Sequence, residues 1–172
     1  MLGDGAVAVH PDDARYAPIV GKLCEIPVGP KEHRRLIPII TDDYPDPDFG
    51  SGAVKITGAH DFNDYQVAKR GGIPMYRLMD TRGVLRGDGA SYADEAAKAQ
   101  SYAQGAPFTE AGVDAINMVP EAYRNLDRFE ARTRIIADIT AEGLAVMTTV
   151  TRADKETGED ITKTVPYVEN KP

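Results

Sequence analysis

Residues 46–65 constrain the fold of this chain most, because turn, strand, turn and helix signals follow one another there without a gap. A Pro-Asp turn and a Gly-Ser-Gly hinge at residues 50–52 precede a β-branched segment at residues 53–57, and Gly58 interrupts the pattern again. A helix is predicted to begin near Asp61 and to end at the glycine pair at residues 71–72. The stretch therefore predicts a strand that leads directly into a helix.

Polar side chains are concentrated at this strand-to-helix junction. Successive side chains of a strand point to opposite faces, so Lys55 and Thr57 share one face of the predicted strand. Asp61 and Asp64 are separated by three positions, which places both carboxylates on one face of the first helical turn. The junction is therefore expected to form a compact polar site with both signs of charge.

The two aspartates also have a simpler structural interpretation. Asp61 is a suitable N-cap, and Asp64 would be favoured by the helix dipole as its capping-box partner. Spacing alone favours this interpretation. A metal-dependent hydrolase built on His60, Asp61 and Asp64 is a further alternative, although no second His or Cys cluster stands nearby to complete a ligand set.

The other elements follow from hydrophobic periodicity and from turn residues. The most regular helical pattern covers residues 127–142. Leu126, just before this range, and Phe129, Ile135, Ile136 and Ile139 within it recur at helical spacing before Gly143. Residues 91–104 are expected to form a weak surface helix or a loop. Short strands are predicted at residues 5–9, 22–28, 36–41, 74–79, 144–151 and 161–168, with a helical turn at 12–16 and the last two strands joined across 154–158 as a hairpin.

Composition narrows the functional class. The chain has 172 residues, of which 42% are hydrophobic and 27% are charged, as expected for one soluble domain with a core. The single cysteine, Cys24, excludes an internal disulfide and fits a cytoplasmic protein, and no apolar run could span a bilayer. A net charge of −7 disfavours a chain that grips nucleic acid by itself. The basic residues at 31–35 are expected to form a solvated loop, with contact to a nucleic-acid end as the alternative.

Four sequence blocks resemble the editing domain of the valyl-tRNA synthetases. The main block begins Asp48-Phe-Gly-Ser-Gly-Ala-Val-Lys-Ile-Thr and continues to Tyr65, with Ser51 and Gly58 where the usual form has Thr and Pro. The others are Met1-Leu-Gly-Asp-Gly-Ala-Val-Ala-Val-His-Pro-Asp-Asp13, the stretch Val119-Pro-Glu-Ala-Tyr-Arg to Arg132, and Lys163-Thr-Val-Pro-Tyr167. Met1-Leu-Gly-Asp4 together with Val54-Lys-Ile-Thr57 favours the valyl member over the related isoleucyl and leucyl enzymes.

This resemblance implies a β-rich α+β fold, with a closed β-barrel-like editing domain and peripheral helices. It implies that residues 1–172 are one editing domain, N-terminally truncated, because the family carries a Thr-Thr-Arg-Pro-Glu-Thr motif before Met-Leu-Gly-Asp. Residues 88–118 fall outside the resemblance and are expected to be an insertion. The nucleotide-binding core of the family is absent, so ATP and magnesium are expected only in that core, and editing is expected to need no cofactor and no metal.

The resemblance also implies roles for particular residues. Asp64 would hold the α-ammonium group of the substrate, while Lys55, Thr57 and Asp61 would surround the threonine side chain and the ester. The remaining two residues, Phe49 and His60, would bind substrate, and Phe49 would pack against it or against the terminal adenosine. No Ser or Cys stands beside a general base, so attack by water is expected rather than a covalent intermediate.

The implied activity is hydrolysis of threonyl-tRNA of the valine-accepting type. The expected partners are the acceptor end of that tRNA carrying threonine and the remainder of the synthetase, which would ligate valine to tRNA; no membrane is expected, and an exposed strand edge invites self-association. Two alternatives stay open beside this function. The chain is an inactive fragment, or it is the metal-dependent hydrolase named above.

Overall fold

The first strand of the chain lies inside a four-stranded sheet. The sheet consists of β1 (Ala6–Val9), β2 (Leu23–Glu25), β3 (Leu36–Thr41) and β4 (Ala53–Ile56), in the order β2-β3-β1-β4. β1 pairs in parallel with β3 and antiparallel with β4, while β2 pairs antiparallel with β3. This computed structural model describes residues 1–153 and 160–166.

Small residues on β1 allow the main core to form. Ala6 and Ala8 are fully buried and lie in one cluster with Ile56 of β4 and with Val67 and Ala68 of the first helix, α1 (Phe62–Gly71). Residues two apart on a strand share a face, so the two alanines present a flat apolar surface. The strand-to-helix unit predicted from the sequence is thereby fixed against β1.

Both ends of α1 carry the predicted caps. The Asp61 side chain accepts hydrogen bonds from the backbone N–H groups of Asn63 and Asp64. At the other end Gly72 adopts a left-handed conformation with φ of 61°, and its N–H donates to the Ala68 carbonyl. The predicted helix is confirmed to within one residue at each end.

Residues 88–118 pack into the same unit as the sheet. They contain α2 (Tyr92–Ala103) and α3 (Glu110–Ala115), and the side chain of Ser91 caps α2 by accepting from the Asp94 N–H. Tyr92, Ala96 and Ala99 are buried, so α2 is not the weak surface helix that was expected. The Gln100 side-chain oxygen accepts from the Leu36 N–H of β3 at 2.7 Å. That the segment is an insertion stays a prediction.

The segment at residues 74–79 does not form the predicted strand. Its pairing is limited to an isolated bridge between Met79 and Leu85. Pro74 has no N–H to donate, and the Leu78 N–H donates to the His60 side chain instead of to a neighbouring strand. Residues 12–16 likewise form turns that lead into a 3₁₀ helix at Ala17–Ile19, in place of the predicted helical turn.

The strands do not close into a barrel among the residues that the structure describes. The sheet of four strands ends at β2 on one side and at β4 on the other, and the remaining pair of strands forms a separate sheet. The α+β class is therefore confirmed, whereas the barrel-like closure is not found. The missing strand at residues 74–79 removes one candidate for extending the sheet.

The chain divides into two units, residues 1–131 and 132–172. The long helix α4 (Arg128–Ala141) confirms the most regular periodicity in the sequence, and Gly143 follows it with φ of 71°. β5 (Met147–Ala153) and β6 (Asp160–Pro166) then pair antiparallel, with Met147 opposite Pro166. The predicted connection at 154–158, and the last two residues of the predicted strand, lie outside the described residues. No helix in the described part of the chain is long and apolar enough to cross a membrane.

Gly58 supplies the test of this packing. A β-carbon at Gly58 would lie 2.7 Å from Met75 Cγ and 2.8 Å from Ala68 Cβ, which is closer than side chains pack. Gly58→Ala is expected to lower the free energy of unfolding by roughly 1–3 kcal/mol, because the core must shift to admit a methyl group. Urea denaturation of the chain measures this value.

Gly71→Ala is the matched control for that substitution. Its β-carbon would meet only the flexible Ile73 and Ile40 side chains, at 3.2 Å and beyond, so the unfolding free energy should change by less than about 1 kcal/mol. An effect of Gly58→Ala no larger than that of Gly71→Ala would contradict the close packing described at the strand-to-helix corner.

Candidate functional site

Thr57 joins three polar side chains at the end of β4. Its backbone N–H donates to Asp64 Oδ2 at 2.9 Å, and its hydroxyl donates to Asp4 Oδ1. Lys55 Nζ donates to the same hydroxyl oxygen at 2.8 Å. The side-by-side placement of Lys55 and Thr57 predicted from strand alternation is therefore confirmed, and Asp64 of α1 is brought against the strand.

Asp4 is the site residue that sequence reasoning missed. Its carboxylate is buried, with 3% of the residue exposed, and its Oδ1 lies 3.8 Å from Lys55 Nζ. Asp4 precedes β1, whose Ala6 is paired with Ile56, so the antiparallel register carries Asp4 towards the end of β4. The signal was the position of an aspartate just before a strand, but only the pairing of β1 with β4 reveals its neighbour.

The buried side chain of Arg35 holds the backbone of the segment that carries Asp4. Arg35 is 3% exposed, and its Nη2 donates to the Leu2 carbonyl at 2.6 Å and to the Asp4 carbonyl at 3.1 Å. Its guanidinium carbon lies 5.1 Å from the centre of the Tyr76 ring. Burial lowers the pKa of the Arg35 guanidinium. In the basic run at residues 31–35, Lys31 and His33 are exposed, as expected for a solvated loop, whereas Arg35 is an internal support.

Asp61 has the structural role that its spacing suggested. Its Oδ1 accepts from the N–H groups of Asn63 at 2.8 Å and Asp64 at 3.0 Å, and the residue is exposed. Asp64 differs, since it is 5% exposed and its carboxylate reaches Thr57. The two carboxylates share the first helical turn, and only Asp64 is seen to bond to the Lys55–Thr57 pair.

His60 connects the corner to the segment at residues 74–79. Its Nε2 accepts from the Leu78 N–H at 2.8 Å, which requires an unprotonated nitrogen. Partial desolvation of the ring, followed by the nearby Arg77 guanidinium, lowers the pKa of His60 below its ordinary 6.5. Among the described residues, no three His, Cys, Asp or Glu side chains are grouped to hold a metal ion.

Phe49 stands apart from these bonds on the loop before β4. Its side chain is partly open to solvent, with 48% of the residue exposed. Its N–H donates to the Asp46 carbonyl, and its carbonyl accepts from the Gly52 N–H, so the ring is carried on consecutive turns. The ring is available to a flat partner.

The hydrogen-bonded cluster of Lys55, Thr57, Asp4 and Asp64 carries polar groups that can bind a small polar ligand. An ammonium at Lys55, a hydroxyl at Thr57 and carboxylates at Asp4 and Asp64 meet within one strand-to-helix corner. The Lys55 ammonium has three donors, of which Thr57 takes one. Such an arrangement can recognise a hydroxyl, an ammonium and a carbonyl oxygen by distinct groups.

Two curated relatives indicate the origin of the chain. It is 70% identical to a valine–tRNA ligase from Ruegeria pomeroyi over 178 aligned residues, which take in all of the chain and 18% of that protein. The chain is homologous to one segment of the valine–tRNA ligases. A valine–tRNA ligase from Syntrophotalea carbinolica is 41% identical over 148 residues, 86% of the chain and 13% of that protein. No protein-family model matches the chain.

This homology confirms the resemblance to a synthetase segment drawn from the four sequence blocks. The chain spans less than a fifth of the length of either relative. The full-length match to the first relative takes in residues 88–118 as well as the blocks.

The structural role of His60 makes a pH dependence testable. Unfolded His60 gains a proton near pH 6.5, whereas the folded ring resists it, so the free energy of unfolding should fall as pH drops below about 6.5. His60→Gln keeps a side-chain oxygen that can accept from the Leu78 N–H but does not titrate. Urea unfolding between pH 8 and pH 5 should show a shallower decline in this variant. An identical decline in both proteins would exclude His60 as its source.

Proposed function

We propose that this chain is an editing site, which hydrolyses the ester that joins threonine to tRNA of the valine-accepting type. The observation that carries the proposal is the bonding of Thr57 to Lys55, Asp4 and Asp64 in a chain homologous to a segment of valine–tRNA ligases. The longer enzyme, on this proposal, ligates valine to tRNA with ATP, and the segment corrects its errors.

A valine-specific enzyme needs correction for a physical reason. Threonine is nearly isosteric with valine, and a hydrophobic site rejects the added hydroxyl by only about a hundredfold, a known property of valine-specific synthetases. A second site built from polar groups can instead bind threonine in preference to valine. Its groups are satisfied by the threonine hydroxyl, and they lose that partner with valine.

The proposed roles are assigned from the hydrogen bonds among Lys55, Thr57, Asp4 and Asp64. Asp64 holds the α-ammonium group of the substrate, because its buried carboxylate is fixed beside the strand by the Thr57 N–H. Lys55 and Thr57 meet the threonine hydroxyl and the ester, and Asp4 holds them in place. Asp61 caps the helix at the mouth of the site, and His60 fixes the corner through Leu78.

Hydrolysis in this proposal uses water directly. The water oxygen adds to the carbonyl carbon of the ester, the bond from that carbon to the ribose oxygen breaks, and the ribose oxygen takes up the proton that the attacking water loses. Lys55 stabilises the negative charge that develops on the carbonyl oxygen. The products are threonine and tRNA with a free terminal hydroxyl.

The proposed partners are the threonine-bearing acceptor end of tRNA and the remaining segments of the ligase. A net charge of −7 makes this chain a poor holder of a phosphate backbone, so other segments supply most of the grip. Phe49 packs against the terminal adenosine through its half-exposed ring. The edge strand β4 is a candidate site for self-association.

Deacylation measurements with Asp64 variants test this function. The chain and the full-length Ruegeria ligase are expected to cleave threonyl-tRNA and to leave valyl-tRNA intact. Asp64→Asn keeps an oxygen for the Thr57 N–H but loses the charge that holds an ammonium. It should therefore reduce threonyl-tRNA cleavage by roughly 10–100-fold while leaving the unfolding free energy nearly unchanged.

Asp64→Ala provides the comparison for stability. It leaves the buried Thr57 N–H without this acceptor and should lower the unfolding free energy by about 1–3 kcal/mol. Cleavage of both esters at equal rates would contradict the selectivity that we propose. Cleavage by neither protein, with both folded, would contradict the editing function itself, and full activity of Asp64→Asn would remove Asp64 from its role.

A further inference from the structure

Phe49 is carried by a loop whose shape is fixed on both sides of the ring. Residues 46–52 form successive turns, in which the Phe49 N–H donates to the Asp46 carbonyl at 3.1 Å and the Gly52 N–H donates to the Phe49 carbonyl at 3.0 Å. Gly50 and Gly52 have φ of 57° and 76°, a left-handed conformation that glycine adopts without strain. The backbone therefore presents Phe49 at an exposed tip.

Two side chains from the segment after β1 hold this loop. Arg15 Nη2 donates to the Pro47 carbonyl at 2.6 Å, and the Tyr16 hydroxyl donates to the Ser51 carbonyl at 2.6 Å. These carbonyls lie two residues before and two residues after Phe49. The backbone on both sides of Phe49 is thus held by side chains from another part of the chain.

The Arg15 side chain is itself held in place by Asp13. Asp13 is 6% exposed, and its carboxylate accepts from Arg15 Nε at 2.8 Å and from Arg15 Nη2 at 2.6 Å. The Arg15 guanidinium accordingly keeps the pKa of Asp13 below its ordinary value. A β-carbon at Gly52 would lie 2.5 Å from Arg15 Nη2, so the loop is packed directly against this pair.

We propose that Arg15 and Tyr16 are positioning residues that hold the Phe49 ring ready to stack on the terminal base of a nucleic acid. This inference rests on the proposed function, which supplies the adenosine end of tRNA as the ligand. A loop that is ordered before binding does not lose conformational entropy on binding, so the anchors strengthen the complex without touching the ligand.

A purely structural role predicts different behaviour. Anchors that only stabilise the fold would change the free energy of unfolding and leave ligand affinity unchanged. Anchors that position Phe49 would change affinity only as long as the ring is present. The effects of removing the anchor and removing the ring should therefore overlap rather than add.

The experiment measures, by NMR titration, the Kd of the 172-residue chain for the trinucleotide C-C-A, which is the terminal sequence of the tRNA acceptor end. Phe49→Ala should weaken binding by about 5–100-fold, the range expected for loss of one stacked base. Tyr16→Phe should weaken it by about 3–10-fold, and the double variant should be no weaker than Phe49→Ala alone. Tyr102→Phe is the control and should bind like the unmodified chain; Tyr102 belongs to α2, and its ring lies 5.4 Å from the Phe108 ring in a tilted arrangement.

Hydrogen exchange provides a second readout that needs no ligand. The amides of residues 48–52 should exchange several-fold faster in Tyr16→Phe, while those of α2 keep their rates. Unchanged binding by Tyr16→Phe, or effects of Tyr16→Phe and Phe49→Ala that multiply in the double variant, would overturn the positioning role. Insensitivity of trinucleotide binding to Phe49→Ala would overturn it as well.

The steady-state deacylation assay separates this inference from the proposed function. With threonyl-tRNA as substrate, Tyr16→Phe should raise KM by about 3–10-fold and leave kcat within about twofold, because the chemistry at Lys55 and Thr57 is untouched. Trinucleotide binding that depends on Phe49 and Tyr16, without any ester cleavage, would refute editing and support the positioning role. Ester cleavage whose KM is unchanged in Tyr16→Phe would support editing and refute the positioning role.

Discussion

The hydrogen bond from the Thr57 N–H to the Asp64 carboxylate is the contact on which the rest of the site depends. It joins the residue that directly follows β4 to the first turn of α1, while Ile56, Val67 and Ala68 pack the same two elements together in the core. With the backbone of Thr57 fixed, its hydroxyl can face Asp4 and Lys55 at the same time. An apolar core and a polar site are therefore consequences of one strand-to-helix corner.

Structural and functional demands fall on the same residues in this corner. Asp61 caps α1, His60 holds Leu78, and Asp64 holds Thr57, so each has a bond that stabilises the fold. A capping role does not exclude a role towards a ligand, because a carboxylate accepts several hydrogen bonds. It does mean that truncation to alanine removes both contributions together. Substitutions that keep the acceptor oxygen are needed to separate them.

Local signals were sufficient for some elements of this fold. β3 was predicted at its observed bounds, and α1 followed from Asp61 and Gly72, because caps and alternation are encoded by neighbouring residues. Contacts that are distant in sequence were missed. Asp4 accepts from Thr57 across 53 positions, the Leu78 N–H donates to His60 and not to a strand, and the Gln100 side chain of α2 accepts from the Leu36 N–H of β3. Sequence motifs were enough to indicate the resemblance to a synthetase segment, which the relatives confirm. The roles of the site residues stay predictions.

A structure of the chain bound to threonyl-adenosine, with a non-hydrolysable amide in place of the ester, would show which residues hold the threonyl group. We expect the threonine hydroxyl within hydrogen-bond distance of Lys55 or Thr57 and the ammonium group beside Asp64. This arrangement predicts at least tenfold weaker binding of the valyl analogue, because valine leaves these groups without a partner. Equal affinities, or a threonyl group bound away from Thr57, would contradict it.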